Sequence, residues 1–204
     1  MIKKGEDSPG NTERPFVGKL SYTTHVQSYG WQDRVYDGEM SGTNGQSKRL
    51  EGIRIKLEDL ELSGGVKYCT HVQSYGWQDW VSDDQISGTT GEAKRLEAIR
   101  IELTGKVAQQ YNIYYRVHCQ TYGWLGWAKN GEVAGTSGMG KRLEAIEIKI
   151  LPEAAEFDTG GPSYYMIEET ENSSTVETGE NTAESELNSD VVNDYNKEEI
   201  YKEE

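Results

Sequence analysis

The chain has 204 residues, with 21 Lys+Arg against 35 Asp+Glu and a formal net charge of −14. Residues 152–204 hold 16 of the acidic residues and two Lys, so residues 1–151 sum to zero. A neutral body lacks the positive field that phosphate binding needs, so no nucleic-acid partner is expected. No apolar run approaches the roughly 20 residues that span a bilayer, so no membrane insertion is expected.

In chain order, residues 1–17 read as a flexible lead-in. Met1-Ile2-Lys3-Lys4 runs into Gly5-Glu6-Asp7-Ser8, where a secretory leader would be apolar. The chain is therefore expected to be cytosolic at birth, or a piece of a longer exported protein. Tyr22 to Tyr29 reads as a strand, rich in β-branched and aromatic residues. Trp31 to Tyr36 reads as a second strand, closing at the hairpin-type dipeptide Asp37-Gly38. In the third strand, Ile53, Ile55 and Leu57 alternate with Arg54 and Lys56, so the apolar set faces inward.

The pattern then returns. Tyr22-Thr23-Thr24-His25-Val26-Gln27-Ser28-Tyr29-Gly30-Trp31 recurs as Tyr68 to Trp77 and as Tyr115 to Trp124. Gly42-Thr43-x-Gly45-x-x-Lys48-Arg49-Leu50-Glu51 recurs at Gly88 to Glu97 and at Gly135 to Glu144. The third strand recurs as Ile99/Ile101/Leu103 and Ile146/Ile148/Ile150. The copies span about 18–62, 63–106 and 107–151, with turns at Ser63-Gly64-Gly65 and Gly105. A unit this short cannot bury its own apolar face, so three copies must share a core. The expected fold is all-β, a closed pseudo-threefold body. A β-prism and a β-trefoil both fit, since closure hides strand edges.

Three further details follow from alternation. Arg49 and Glu51 share a face and should pair, as should Arg95 with Glu97 and Arg142 with Glu144. Leu50 is out of register with Ile53 and Ile55, which implies a bulge or a turn there. Cys119 replaces Val26 and Val72 and reads as core. Cys69 replaces Thr23 and reads as exposed, so the two thiols face opposite ways and no disulfide is expected.

The Tyr-Gly-Trp step, the Trp80-Val81 and Trp127-Ala128 pairs, and Gly-Thr-x-Gly-x-x-Lys-Arg-Leu-Glu-Ala-Ile resemble the clostridial hydrophobic repeat with a conserved Trp, ChW. The third copy matches best, through Tyr114 to His118, Gly123-Trp124-Leu125-Gly126-Trp127 and Arg142-Leu143-Glu144-Ala145-Ile146. The resemblance implies a module of exported clostridial proteins, often in threes, that binds cell wall, polysaccharide or another surface. It brings no catalytic residues and no cofactor. The first copy departs from the pattern, with Arg34 in place of Trp80 and Trp127, and Gly52 in place of Ala98 and Ala145. If the second Trp contacts ligand, copy one is the weak site.

The candidate ligand-binding face follows from the first strand. His25, Gln27 and Tyr29 share one side, and a continued extended chain adds Trp31. The corresponding sets are His71, Gln73, Tyr75, Trp77 and His118, Gln120, Tyr122, Trp124. Aromatic rings stack on sugar C–H faces, and amide and imidazole groups bond hydroxyls. A Trp after Gly in a strand-rich repeat also suits a core plug, which makes Trp80 and Trp127 the better surface candidates. Three equivalent His around a threefold axis could meet as a metal site, but repetition alone explains their equivalence, and no metal is expected. The expected partner is bacterial cell-wall glycan or another polysaccharide, with a protein partner as the alternative. No paired acid and base or activated nucleophile suggests an enzyme.

The segment 152–204 reads as a disordered acidic tail. Gly160-Gly161-Pro162 looks like a linker, and Tyr164-Tyr165-Met166-Ile167 like a short docking motif or a spare apolar patch.

Overall fold

The computed structural model describes residues 15–166. The expectations for residues 1–14 and 167–204 lie outside the described residues. The first repeat contributes β1 (Lys19–Val26), β2 (Gly30–Trp31), β3 (Val35–Tyr36), β4 (Ser41–Gly42) and β5 (Leu50–Glu58). The second contributes β6 (Gly64–Val72), β7 (Gly76–Trp77), β8 (Val81–Ser82), β9 (Ser87–Gly88) and β10 (Leu96–Gly105). A single 3-10 turn, Val107–Gln109, leads into β11 (Tyr111–Cys119), β12 (Gly123–Trp124), β13 (Ala128–Lys129), β14 (Ala134–Thr136) and β15 (Leu143–Pro152), and β16 (Tyr164–Tyr165) follows.

The fold is all-β, with three sheets built on the long antiparallel pairs β1–β5, β6–β10 and β11–β15. Each repeat lends one short strand to another repeat's sheet. β9 of the second repeat pairs with β5 of the first, β14 of the third with β10 of the second, and β4 of the first with β15 of the third. The exchange thus runs in a circle through all three repeats. Gly42, Gly88 and Gly135 make it possible. A Cβ on any of them would lie 2.4–2.5 Å from a backbone carbonyl of the receiving strand, far inside contact distance.

One core runs through all three repeats. It gathers Leu20, Tyr22, Val26, Leu50, Ile53, Ile55 and Leu57 with their counterparts, so the predicted alternation of the third strand holds. The predicted break in register is also present, as a bulge. His25 pairs with Gly52 but Val26 with Leu50, which leaves Glu51 as the extra residue. The slip lets Leu50 and Ile53 both point inward, since a bulge breaks the two-residue period once.

Tyr22, Tyr68 and Tyr115 are fully buried, and the first two latch repeats together. Each hydroxyl donates to a turn carbonyl of its own repeat, at Glu39, Gln85 and Glu132. Tyr22 also accepts the Ile148 amide at 3.1 Å and Tyr68 the Ile55 amide at 3.0 Å, each from a neighbouring repeat. A buried phenol needs both partners, because neither can be supplied by water.

A second polar tie differs between copies. Thr24 meets Ser41 at 2.9 Å and Thr70 meets Ser87 at 2.9 Å, both pairs buried. The third repeat has Val117 and Ala134 at these places, also fully buried. Replacing both partners of a buried hydrogen bond by apolar groups strands neither one.

Three expectations are corrected. The first strand ends at Val26 rather than Tyr29, because Tyr29 N–H turns back to the Val26 carbonyl and Ser28 takes φ 69°. The second strand is split into β2 and β3. Cys69 is buried rather than exposed. The chain after Trp77 returns along β6 through pairs His71–Trp77 and Lys67–Ser82, so β6 is an inner strand, paired on both edges, rather than an open edge. Both thiols are free.

Candidate functional site

The bulged Glu is the centre of each repeat's polar cluster. Glu51 Oε1 accepts the Arg49 guanidinium at 2.8 Å from Nε and 2.7 Å from Nη2. Its other oxygen lies 3.0 Å from His25 Nδ1. The same contacts recur around Glu97 with Arg95 and His71, and around Glu144 with Arg142 and His118. The carboxylate is buried in each case, and a fixed guanidinium beside it offsets its desolvation. The carboxylate–imidazole distance is that of a hydrogen bond, but no ring N–H is aligned on it.

The imidazole in turn positions the Trp. His25 meets Trp31 edge-on, with ring centroids 5.4 Å apart; His71–Trp77 and His118–Trp124 are both at 5.6 Å. The expected neighbourhood of His and Trp is present, but a turn creates it rather than an extended strand. Cross-strand pairing of His25 with Trp31 sets the two side by side. The three His do not meet. Each is tied to its own Glu, and among the described residues no group of three or more His, Cys, Asp or Glu is placed to hold a metal.

Above the indole sits a guanidinium that sequence reading overlooked. Arg54 lies 4.8 Å from the Trp31 centroid and Arg100 4.7 Å from that of Trp77. The third repeat has Glu147 at this strand position, yet Trp124 still carries a guanidinium at 4.8 Å, from Arg116. Arg116 replaces Thr23 and Cys69, the cross-strand partners of Arg54 and Arg100. The cation has moved to the opposite strand and now pairs with Glu147 at 2.8 Å. This exchange is visible once the copies are aligned, and is the signal that could have revealed the stack.

Exposure separates the aromatics. Trp77 is 37% and Trp80 40% exposed, while Trp31 and Trp124 are half-buried. None of Trp31, Trp77 and Trp124 belongs to the core cluster, so the core-plug expectation for them is corrected: their rings lie over the charged side of the sheet. Tyr29 at 53% and Tyr75 at 52% are the most exposed of these aromatics, and Tyr122 is exposed as well. Lys48 and Lys94 lie over the Tyr29 and Tyr75 rings at 5.5 and 5.3 Å. Gln27, Gln73 and Gln120 are half-buried at the turn.

Trp127 behaves differently from Trp80. It is only 9% exposed, because the segment after β15 packs over it. Phe157 meets Trp127 edge-on at 5.3 Å and Tyr114 at 4.6 Å. Trp127 N–H donates to Thr159 O and Gly126 N–H to Pro162 O. β16 adds to β14 in parallel, and Tyr165 stacks on Tyr122 at 4.9 Å. The expectation of a free tail beginning at residue 152 therefore fails through Met166. In the other two repeats the position of Gly126 holds Asp33 and Asp79. A Cβ at 126 would lie 1.7 Å from the Gly161 carbonyl oxygen, so this docking is open to the third repeat alone. Together the repeat and the segment flank an open pocket of about 390 Å³ lined by Arg116, Trp124, Tyr122, Asp158 and Tyr165 among others.

A three-sheet all-β body that repeats one Trp–His–Glu–Arg cluster per unit defines a tandem-repeat module. The chain belongs to the family described as Clostridial hydrophobic W, ChW, whose model matches three times, at residues 25–59, 71–105 and 118–152. No curated protein and no solved structure matches the chain. Among the described residues no helix is long and apolar enough to cross a membrane.

Proposed function

We propose that this chain is a non-catalytic, multivalent binding module for bacterial cell-wall glycan or another polysaccharide, acting at a cell surface. The observation that carries this reading is the repeated indole platform. In each repeat a bulged Glu fixes an imidazole, the imidazole abuts the Trp edge, and a guanidinium backs the ring. Such a preorganised indole suits the apolar face of a sugar. The adjacent exposed Tyr and half-buried Gln can serve hydroxyls. Weak equivalent sites gain avidity on a repeating polymer. We further infer a β-prism arrangement about a pseudo-threefold axis rather than a β-trefoil. The circular exchange of short strands among three separate sheets supports it.

One observation favours a second reading, a protein-interaction module. Repeat three already accepts an extended peptide carrying Phe157 and Tyr165 from its own chain. Sedimentation with purified cell walls and a glycan panel tests the first reading. Trp77→Ala and Trp80→Ala are expected to weaken retention while near-UV circular dichroism stays native. Wild-type protein that stays in the supernatant with every wall and glycan would leave the protein-partner reading.

A further inference from the structure

We infer that the third repeat and the docked segment form a separate pocket for one neutral sugar ring, distinct from the open platforms of repeats one and two. The inference rests on the carbohydrate reading above and narrows it. Three observations carry it. First, the pocket of about 390 Å³ falls at the small end of the range for ligand pockets, roughly 300–1,000 Å³, which suits one ring rather than a run of several. Second, its lining combines an indole, Trp124, with a carboxylate, Asp158, and a guanidinium, Arg116. A hydroxyl both donates and accepts, so a polyhydroxylated ring can use both charged groups at once. Arg116 Nε and Nη2 are already engaged by Glu147, and Asp158 Oδ1 accepts Gly160 N–H at 2.9 Å. No excess positive charge is left to favour an anion.

Third, the pocket is built by matched changes in two distant parts of the chain. Gln32-Asp33 and Gln78-Asp79 become Leu125-Gly126 in the third repeat. Leu125 is buried, and Gly126 admits the backbone of residues 159–161. The segment supplies Asp158 and the Tyr165 wall in return. Repeats one and two, with Asp at the Gly126 position, cannot form this pocket with the same segment.

The test uses the full chain and titrates N-acetylglucosamine, glucose, galactose and mannose against the five Trp indole N–H resonances, assigned by single Trp→Phe variants. At least one sugar is expected to give a saturable shift confined to Trp124 and Trp127. Tyr165→Ala and Gly126→Asp should each weaken it about tenfold or more, as loss of a stacking wall predicts. Polymer retention through Trp77 and Trp80 should persist in both variants. The pocket is overturned if no sugar moves Trp124, if Trp31 and Trp77 shift equally, or if Tyr165→Ala leaves the affinity unchanged. Retention on cell walls without any Trp124 response sinks the pocket alone. Loss of both sinks the carbohydrate reading with it.

Discussion

Arg116 and Glu147 face each other across β11 and β15, where the first repeat has Thr23 facing Arg54. The guanidinium has changed strands and still covers the same indole. A position-by-position comparison scores this as two losses, whereas the cation above the Trp is retained in space. In the third repeat the guanidinium also lies 4.8 Å from Trp127, so it sits against two indoles rather than one.

Arg116→Ala is expected to lower stability by about 1–2 kcal/mol, from the lost cation–π contacts and the unpaired Glu147. The double change Arg116→Thr with Glu147→Arg restores the arrangement of the first repeat and should recover most of that loss. Urea denaturation of the two variants checks this. A double variant as unstable as the single one would contradict it.

The tyrosine latch makes a contrast within one residue type. Tyr68→Phe leaves the Ile55 amide and the Gln85 carbonyl without their partner in the core, at about 1–3 kcal/mol. Tyr75, half exposed, should tolerate the same change to within roughly 0.5 kcal/mol. Thermal or chemical unfolding distinguishes the two.

The Thr24–Ser41 pair predicts non-additivity. Thr24→Val alone strands a buried Ser41 hydroxyl and should cost about 1–3 kcal/mol. Thr24→Val with Ser41→Ala copies Val117 and Ala134 of the third repeat and should lie close to wild type. A double-mutant cycle measures the coupling.

Burial disfavours the thiolate, which pushes the Cys69 thiol up to about 11 and that of Cys119 up to about 12. At pH 8 both are therefore protonated as well as enclosed, and the native protein should react with a disulfide reagent only on the time scale of unfolding. Denaturation should release two equivalents. A fast-reacting native thiol would show that Cys69 or Cys119 is not enclosed as described.

Gly126→Asp puts the residue of the other two repeats into the third. It should displace the Gly161 carbonyl and free Phe157 and Tyr165 from their rings. Trp127 then gains exposure, read as a red shift and increased quenching of its fluorescence in a variant whose other four Trp are Phe. Unchanged emission would mean that the segment docks without needing a glycine there.

By itself the sequence determined the features that depend on neighbours along the chain. Threefold repetition, the inward set Ile53, Ile55 and Leu57, the Arg49–Glu51 pair and a break in register at Leu50 all follow from the order of residues and a two-residue pleat with one interruption. Tertiary structure alone decided which strand joins which sheet, the guanidinium above each Trp, the burial of Cys69 and the docking of Phe157 and Tyr165. These depend on residues that meet across strands or across repeats, and alternation within one strand says nothing about what covers its outer face. Trp80 and Trp127 show the difference most plainly. They occupy one repeat position, yet one stays exposed and the other is covered, because only the third repeat has a glycine where the returning chain must pass.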